Sequence, residues 1–120
     1  MFCRLTIGLV MFVLANVSYA QYFNGQRLHE MVNASNRVDR HEVSDPDDFG
    51  LNARLNGYIL GVADTATTGR LICPPYGTSA GQLVAIVAKY VTDNPDKWGK
   101  SGDWIVINAL APVFPCLRSK

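Results

Sequence analysis

The chain has 120 residues, with 11 Lys and Arg against 10 Asp and Glu, for a formal net charge of +1. That length suits one domain with a modest core. The near-neutral balance, without a basic block, excludes the clustered Lys and Arg on which nucleic-acid binding relies.

The chain opens Met1-Phe2-Cys3-Arg4, and an uncharged apolar run follows from Leu5 to Ala15. Val17-Ser18-Tyr19-Ala20 then places small residues where a signal peptidase reads. A basic start, a short apolar core and a small-residue exit predict a cleavable signal peptide over 1–20 and a mature domain over 21–120. A bilayer anchor needs roughly 20 apolar residues; this run is shorter and no second one follows, so no membrane segment is expected after cleavage at Ala20. Without Arg4 the basic and acidic side chains balance. Cys3 leaves with the signal, and Cys73 and Cys116 remain. In an oxidising compartment such a pair predicts a disulfide. The rival readings are weaker. A reactive thiol needs a basic partner, and a zinc site needs ligand spacing that two Cys with His29 and His41 do not offer.

Asn24 is a candidate cap for a first helix through Leu28 and Met31, after which polar residues dominate from Asn33 to Asp48. Asp45-Pro46-Asp47-Asp48 is a turn signal. As a calcium loop it lacks the later Gly and Glu, so it reads as a solvated acidic turn. Leu51, Leu55, Tyr58, Ile59 and Val62 fall at helical spacing and predict a second helix to about Ala66. Gly57 and Gly61, four apart, each cost about 1 kcal/mol against alanine inside a helix. Close approach of another helix or a second chain is the expected reason for them. Asp64, alone in this apolar helix, either makes a buried hydrogen bond or faces water. Thr68-Gly69-Arg70 ends the helix, and Cys73-Pro74-Pro75-Tyr76-Gly77 is a rigid, extended link.

Ser79 with Gln82 is a candidate capping box for a third helix, whose apolar stripe is Leu83, Ile86, Val87, Tyr90 and Val91. Asn94-Pro95 stops it. A polar loop runs from Asp96 to Gly102, and its aromatic, Trp98, is either a binding anchor or packs over the edge of the core. Ser101 or Asp103 caps a fourth helix with Trp104, Ile105, Val106, Ala109 and Leu110 on its apolar surface, closed by Pro112 and Pro115. No stretch alternates with period two. The expectation is an all-α domain, a small bundle of about four helices with one disulfide. No nucleophile elbow and no phosphate-cradling glycine loop is present, so neither an enzyme nor a cofactor is expected.

Several stretches, taken in order, carry a family likeness: Gly57-Tyr58-Ile59-Leu60-Gly61-Val62-Ala63-Asp64, then Cys73-Pro74-Pro75, Gly81-Gln82-Leu83, Val87-Ala88-Lys89-Tyr90-Val91, Asn94-Pro95, Ala109-Leu110 and Phe114-Pro115-Cys116. The set resembles the Rap/Tai immunity proteins for type VI secretion amidase effectors over about residues 24–116. The resemblance implies a periplasmic helical protein, often a homodimer, that binds its cognate peptidoglycan amidase and blocks the active-site cleft. Family members commonly carry a second cysteine pair. Here Val32 and Leu55 or Asn56 stand in those regions, which predicts a first helix held less tightly and a wandering segment from Asn33 to Gly50. The inhibitory loops expected from the sequence are Asp96–Asp103, with Lys97, Trp98, Lys100 and Asp103, and the Thr65–Arg70 turn, with Thr67 and Arg70. Gly57 and Gly61 mark the candidate dimer face. A periplasmic holdase-type chaperone and an orphan binding domain on the same fold are the alternatives.

Overall fold

The computed structural model describes residues 22–117; the predicted signal segment lies outside the described residues. These hold four helices: α1 Gly25–Asp39, α2 Asp47–Thr68, α3 Ala80–Asp93 and α4 Gly102–Leu110, with a 3₁₀ turn, Pro95–Lys97, before α4. None is long and apolar enough to cross a membrane.

Helices α1 and α3 start at side-chain caps, whereas Pro46 before α2 and Ser101 before α4 make no side-chain cap bond, so the cap expected of Ser101 or Asp103 does not form. The Asn24 side chain accepts the Arg27 N–H at 2.9 Å, satisfying one of the donors a helix start leaves unpaired. Ser79 and Gln82 form the reciprocal capping box: the Gln82 N–H bonds Ser79 Oγ at 3.2 Å, and the Ser79 N–H bonds Gln82 Oε1 at 2.9 Å. Two helices end alike. In α2 the Leu71 N–H reaches back to the Ala66 carbonyl and the Arg70 N–H to that of Thr67, while Arg70 takes φ 56°. In α1 the Glu42 N–H reaches Arg37 and the His41 N–H reaches Val38, with His41 at φ 57°. Both are Schellman endings with a side chain at the left-handed position where glycine is usual.

The core lies where the four apolar faces meet. Leu28, Met31 and Val32 of α1 pack with Leu55 and Ile59 of α2, Val87 and Val91 of α3, and Ile105, Val106 and Leu110 of α4. Side chains of this size each contribute about 1.5–3 kcal/mol on burial. The disulfide forms between Cys73 and Cys116, with Cα atoms 4.9 Å apart. The Cys73 N–H donates to the Phe114 carbonyl at 2.9 Å, so the link before α3 and the end of α4 are held covalently and by the backbone.

The polar stretch after Asn33 departs from expectation. It continues α1 to Asp39, because its polar residues occupy the helix's outer side while Ala34 is buried. Asp48 is not solvated: it is 1% exposed. Arg37 grips it with two bonds, Nε to Oδ2 at 2.9 Å and Nη2 to Oδ1 at 2.6 Å, and the Ser44 N–H adds a third at 3.4 Å. This forked ion pair joins the end of α1 to the start of α2, the segment expected to wander. Asp64 faces water.

The hydrogen bond from Arg37 is the main cause holding the Asp48 carboxyl at about 2, down from 3.8. A lowered carboxyl pKa stabilises the fold at pH above its unfolded value, and that contribution is lost as pH falls through the folded value. Asp48→Asn should therefore melt several degrees below the parent at neutral pH. The gap should close as pH falls from about 4 to 2, as thermal melts across that range will show.

Candidate functional site

The loop between α3 and α4 is built into the start of α1. The Gly25 N–H donates to the Lys100 carbonyl and the Gln26 N–H to that of Trp98, both at 3.0 Å, and the Gly102 N–H returns a bond to Phe23 at 2.9 Å. Helix α1 thus uses carbonyls of the loop as partners for its first-turn donors. The close approach requires glycine at residue 25: a Cβ there would lie 2.4 Å from the Trp98 Cα and 2.6 Å from Ile105 Cδ1.

Trp98 is half-buried. Its indole N–H donates to the Val91 carbonyl at 2.8 Å, and its ring stacks on His29 at 3.8 Å between centroids. Of the two readings open for Trp98 in the sequence, packing over the core edge is the one seen. Lys97 is half-buried and Lys100 exposed. Lys97 pairs with Asp96 at 3.4 Å, and Lys100 sits 5.5 Å from the centre of the Trp104 ring. The loop therefore offers a mixed-charge rim on a fixed frame.

The Thr65–Arg70 turn is exposed apart from Ala66. Thr65 and Thr68 bond their hydroxyls back to the Gly61 and Asp64 carbonyls, which leaves Thr67 and Arg70 pointing outward. Arg70 makes no ion pair among the described residues. A non-glycine residue in the left-handed region is uncommon, and here it presents a free guanidinium.

A groove of about 580 Å³ connects this turn to α4. Gly57 and Gly61 form its floor with Tyr58 and Val62, Leu71 and Ile107 flank it, and Asp103 stands at its edge. Among the described residues nothing lies within 4 Å of a Cβ built on Gly57 or Gly61, so packing among them does not explain these glycines. Tyr58 is half-buried; burial, and then the Asp103 charge, push its hydroxyl pKa above 10. Its ring packs on Phe23 at 4.6 Å and comes so close to Gly102 that a Cβ there would lie 2.6 Å from its Oη. The structure thus places Asp103 and the glycine pair along one groove with Thr65, Ala66 and Gly69 of the turn; Thr67 and Arg70 do not line it, and Lys97 and Lys100 occupy the loop that leads into α4.

In the sequence Tyr76 reads only as part of the rigid link. Its ring is fully exposed on a turn stiffened by Pro74 and Pro75, by the Cys73 bridge, and by Gly77 at φ 90°. An aromatic between a Pro-Pro pair and a glycine was the available signal. Leu71, Val113 and Leu117 are exposed close by in sequence to the same disulfide.

Among the described residues no cluster of His, Cys, Asp or Glu is arranged to hold a metal ion. Comparison with curated proteins gives no match. A family model for the Rap1a immunity proteins matches residues 24–116. That segment runs from the α1 cap to the second disulfide cysteine, and the chain belongs to the Rap1a immunity protein family, whose members are inhibitors and not enzymes.

Proposed function

We propose that this protein is exported by its cleaved signal and acts in the periplasm as the immunity partner of a type VI secretion peptidoglycan amidase. In this reading it blocks the active-site cleft of the effector. The observation that carries it is the family match over residues 24–116. The loop geometry supports the blocking mode. The Pro95–Ser101 segment is held by the first-turn donors of α1 and by the Trp98 indole, so little ordering entropy remains to be lost when it enters a cleft. Lys97 and Lys100 are the contacts on that loop, Trp98 is the pillar beneath them, Asp103 in the first turn of α4 continues the contact, and Thr67 and Arg70 extend it along the α2 end. The test is a pull-down of the oxidised protein with a panel of such amidases and a peptidoglycan cleavage assay. Tight binding with loss of cleavage is expected; binding to no amidase would remove the target assignment.

The groove over Gly57 and Gly61 is the face we assign to a second copy of the chain. In the isolated chain Gly57→Ala with Gly61→Ala should stabilise, since neither added Cβ meets an atom within 4 Å and each change gains about 0.5–1 kcal/mol of helix propensity. Across a dimer contact that relies on close backbone approach, the same two methyls should weaken association. Sedimentation and thermal melts on one sample will read both effects. A stabilised variant that associates as before would exclude the glycine face.

A further inference from the structure

Cleavage after Ala20 would make Gln21 the first residue of the mature protein, one position before the described chain. The residues that follow it support the α3–α4 loop. The Phe23 carbonyl accepts the Gly102 N–H at 2.9 Å, and the Phe23 ring packs on Tyr58 at 4.6 Å. Asn24 forms a β-bridge with Ser101 and caps α1 through the Arg27 N–H. The chain is therefore anchored from Phe23 onward. Tyr22, by contrast, is 90% exposed, so at that position the backbone has already left the core. An aminopeptidase that started at Gln21 would need to remove only two residues to reach this support. Loss of Phe23 and Asn24 would then take away the acceptor for Gly102, the bridge to Ser101 and the cap of α1.

The identity of residue 21 answers that exposure. A glutamine at a free N-terminus carries a nucleophile and its target in one residue, the α-amine and the carboxamide carbon. We propose that the mature N-terminus is a modification site, at which Gln21 closes to pyroglutamate. The α-nitrogen attacks Cδ of its own side chain, and the new N–Cδ bond completes a lactam ring. The Cδ–Nε2 bond breaks, and Nε2 leaves as ammonia with the proton that the α-amine gives up. No oxidant, reductant or co-reactant enters. The attacking amine must be unprotonated; α-amino groups titrate at about 7.7–8.0, so a reactive fraction exists at neutral pH. The ring has neither the charge nor the free amine that an aminopeptidase recognises. The proposal rests on the export reading and on its cleavage point, since a cut at either neighbouring bond puts alanine or tyrosine first.

The test uses the full chain, expressed with its own signal in a Gram-negative host. The periplasm is released directly into acid, which keeps amines protonated and stops cyclisation during handling. Intact mass and N-terminal fragment ions are then read without digestion. The expected mass is that of residues 21–120 with the disulfide formed and one ammonia missing, the loss localised to Gln21. Gln21→Ser has no carboxamide to attack and should show a free terminus with no loss; Gln21→Ala serves the same purpose should the serine variant escape processing. Treated with a broad-specificity aminopeptidase, the parent should keep its mass, whereas the variant should lose its first two residues. Pyroglutamyl peptidase should remove the ring from the parent and open Tyr22 to the same enzyme. A protein that begins at Gln21 with its amine free would overturn the proposal and leave the cleavage reading standing. One that begins elsewhere, or retains residues 1–20, would overturn both. A variant that resists the aminopeptidase as well as the parent does would overturn the protective role of the ring. None of these results bears on the amidase target, which the inhibition assay decides separately.

Discussion

Gly25→Ala is expected to lower the melting temperature by roughly 10–20 °C, the equivalent of about 2–3 kcal/mol of overpacking, and to release the α3–α4 loop. The added methyl would meet backbone, with the Trp98 Cα at 2.4 Å and the Trp98 carbonyl oxygen at 2.8 Å, and backbone cannot rotate away as a side-chain tip can. Either α1 or the loop must withdraw. Withdrawal lengthens the Gly25-to-Lys100 and Gln26-to-Trp98 hydrogen bonds, leaving first-turn donors without protein partners. Gly50→Ala is the control: Gly50 also lies in a helix, yet nothing stands within 4 Å of its built Cβ, so alanine there should stabilise by up to about 1 kcal/mol. In amide-exchange measurements the loop amides from Lys97 to Gly102 should lose protection in Gly25→Ala and keep it in Gly50→Ala. If the loop is the inhibitory element, amidase inhibition by Gly25→Ala should fall further than the loss of folded protein explains. Unchanged loop protection in a folded Gly25→Ala protein would show that the contact is not what holds the loop.

The features that could be read from the sequence are those written in local spacing. Ser79 and Gln82 announced their capping box, the stripe through Leu55 and Ile59 announced α2, and the two cysteines beyond the predicted signal left one pairing to make. Local pattern failed where a distant residue decides the outcome. Nothing around Asp48 distinguishes it from Asp45 and Asp47; its burial comes from Arg37, eleven positions earlier on another helix. The second half of α1 gave only a polar run in the sequence, because a helix with solvent on one side can be largely polar there, as Asn33 and Asn36 are, while Ala34 and the half-buried Val38 mark the inner side. Trp98 could not be assigned to anchor or core edge, because the groups that fix it, His29 and the Val91 carbonyl, come from α1 and α3. For the candidate site, the sequence supplied separate segments, and the gathering of Asp103, Thr65, Gly69 and the glycine pair along one groove required the α2–α4 packing.

Reduction of the Cys73–Cys116 bond is expected to remove about 3–4 kcal/mol of stability, from the loss of a constraint on an unfolded chain whose cysteines are 43 positions apart. Against the 5–15 kcal/mol typical of a whole domain, that is a large share, and the melting temperature should fall by roughly 15–25 °C. The effect should be uneven. Helices α1 and α2 meet through Leu28, Met31, Leu55 and Ile59 and through the Arg37–Asp48 clip, none of which involves the bond. The bridge instead binds the Cys73–Gly77 link to the end of α4, where Leu71, Tyr76, Val113 and Leu117 are exposed and Ile72 and Phe114 are the neighbouring apolar side chains that reach the core. Amide exchange in the Cys73→Ser, Cys116→Ser protein should therefore rise first at residues 71–78 and 113–117, with the α1–α2 amides following only on global unfolding. The same dependence would couple folding to compartment. If the chain is exported as proposed, the form kept reduced before export is the less stable one, and full stability follows oxidation. A double-serine protein that melts within a few degrees of the parent would refute both the energetic assignment and that coupling.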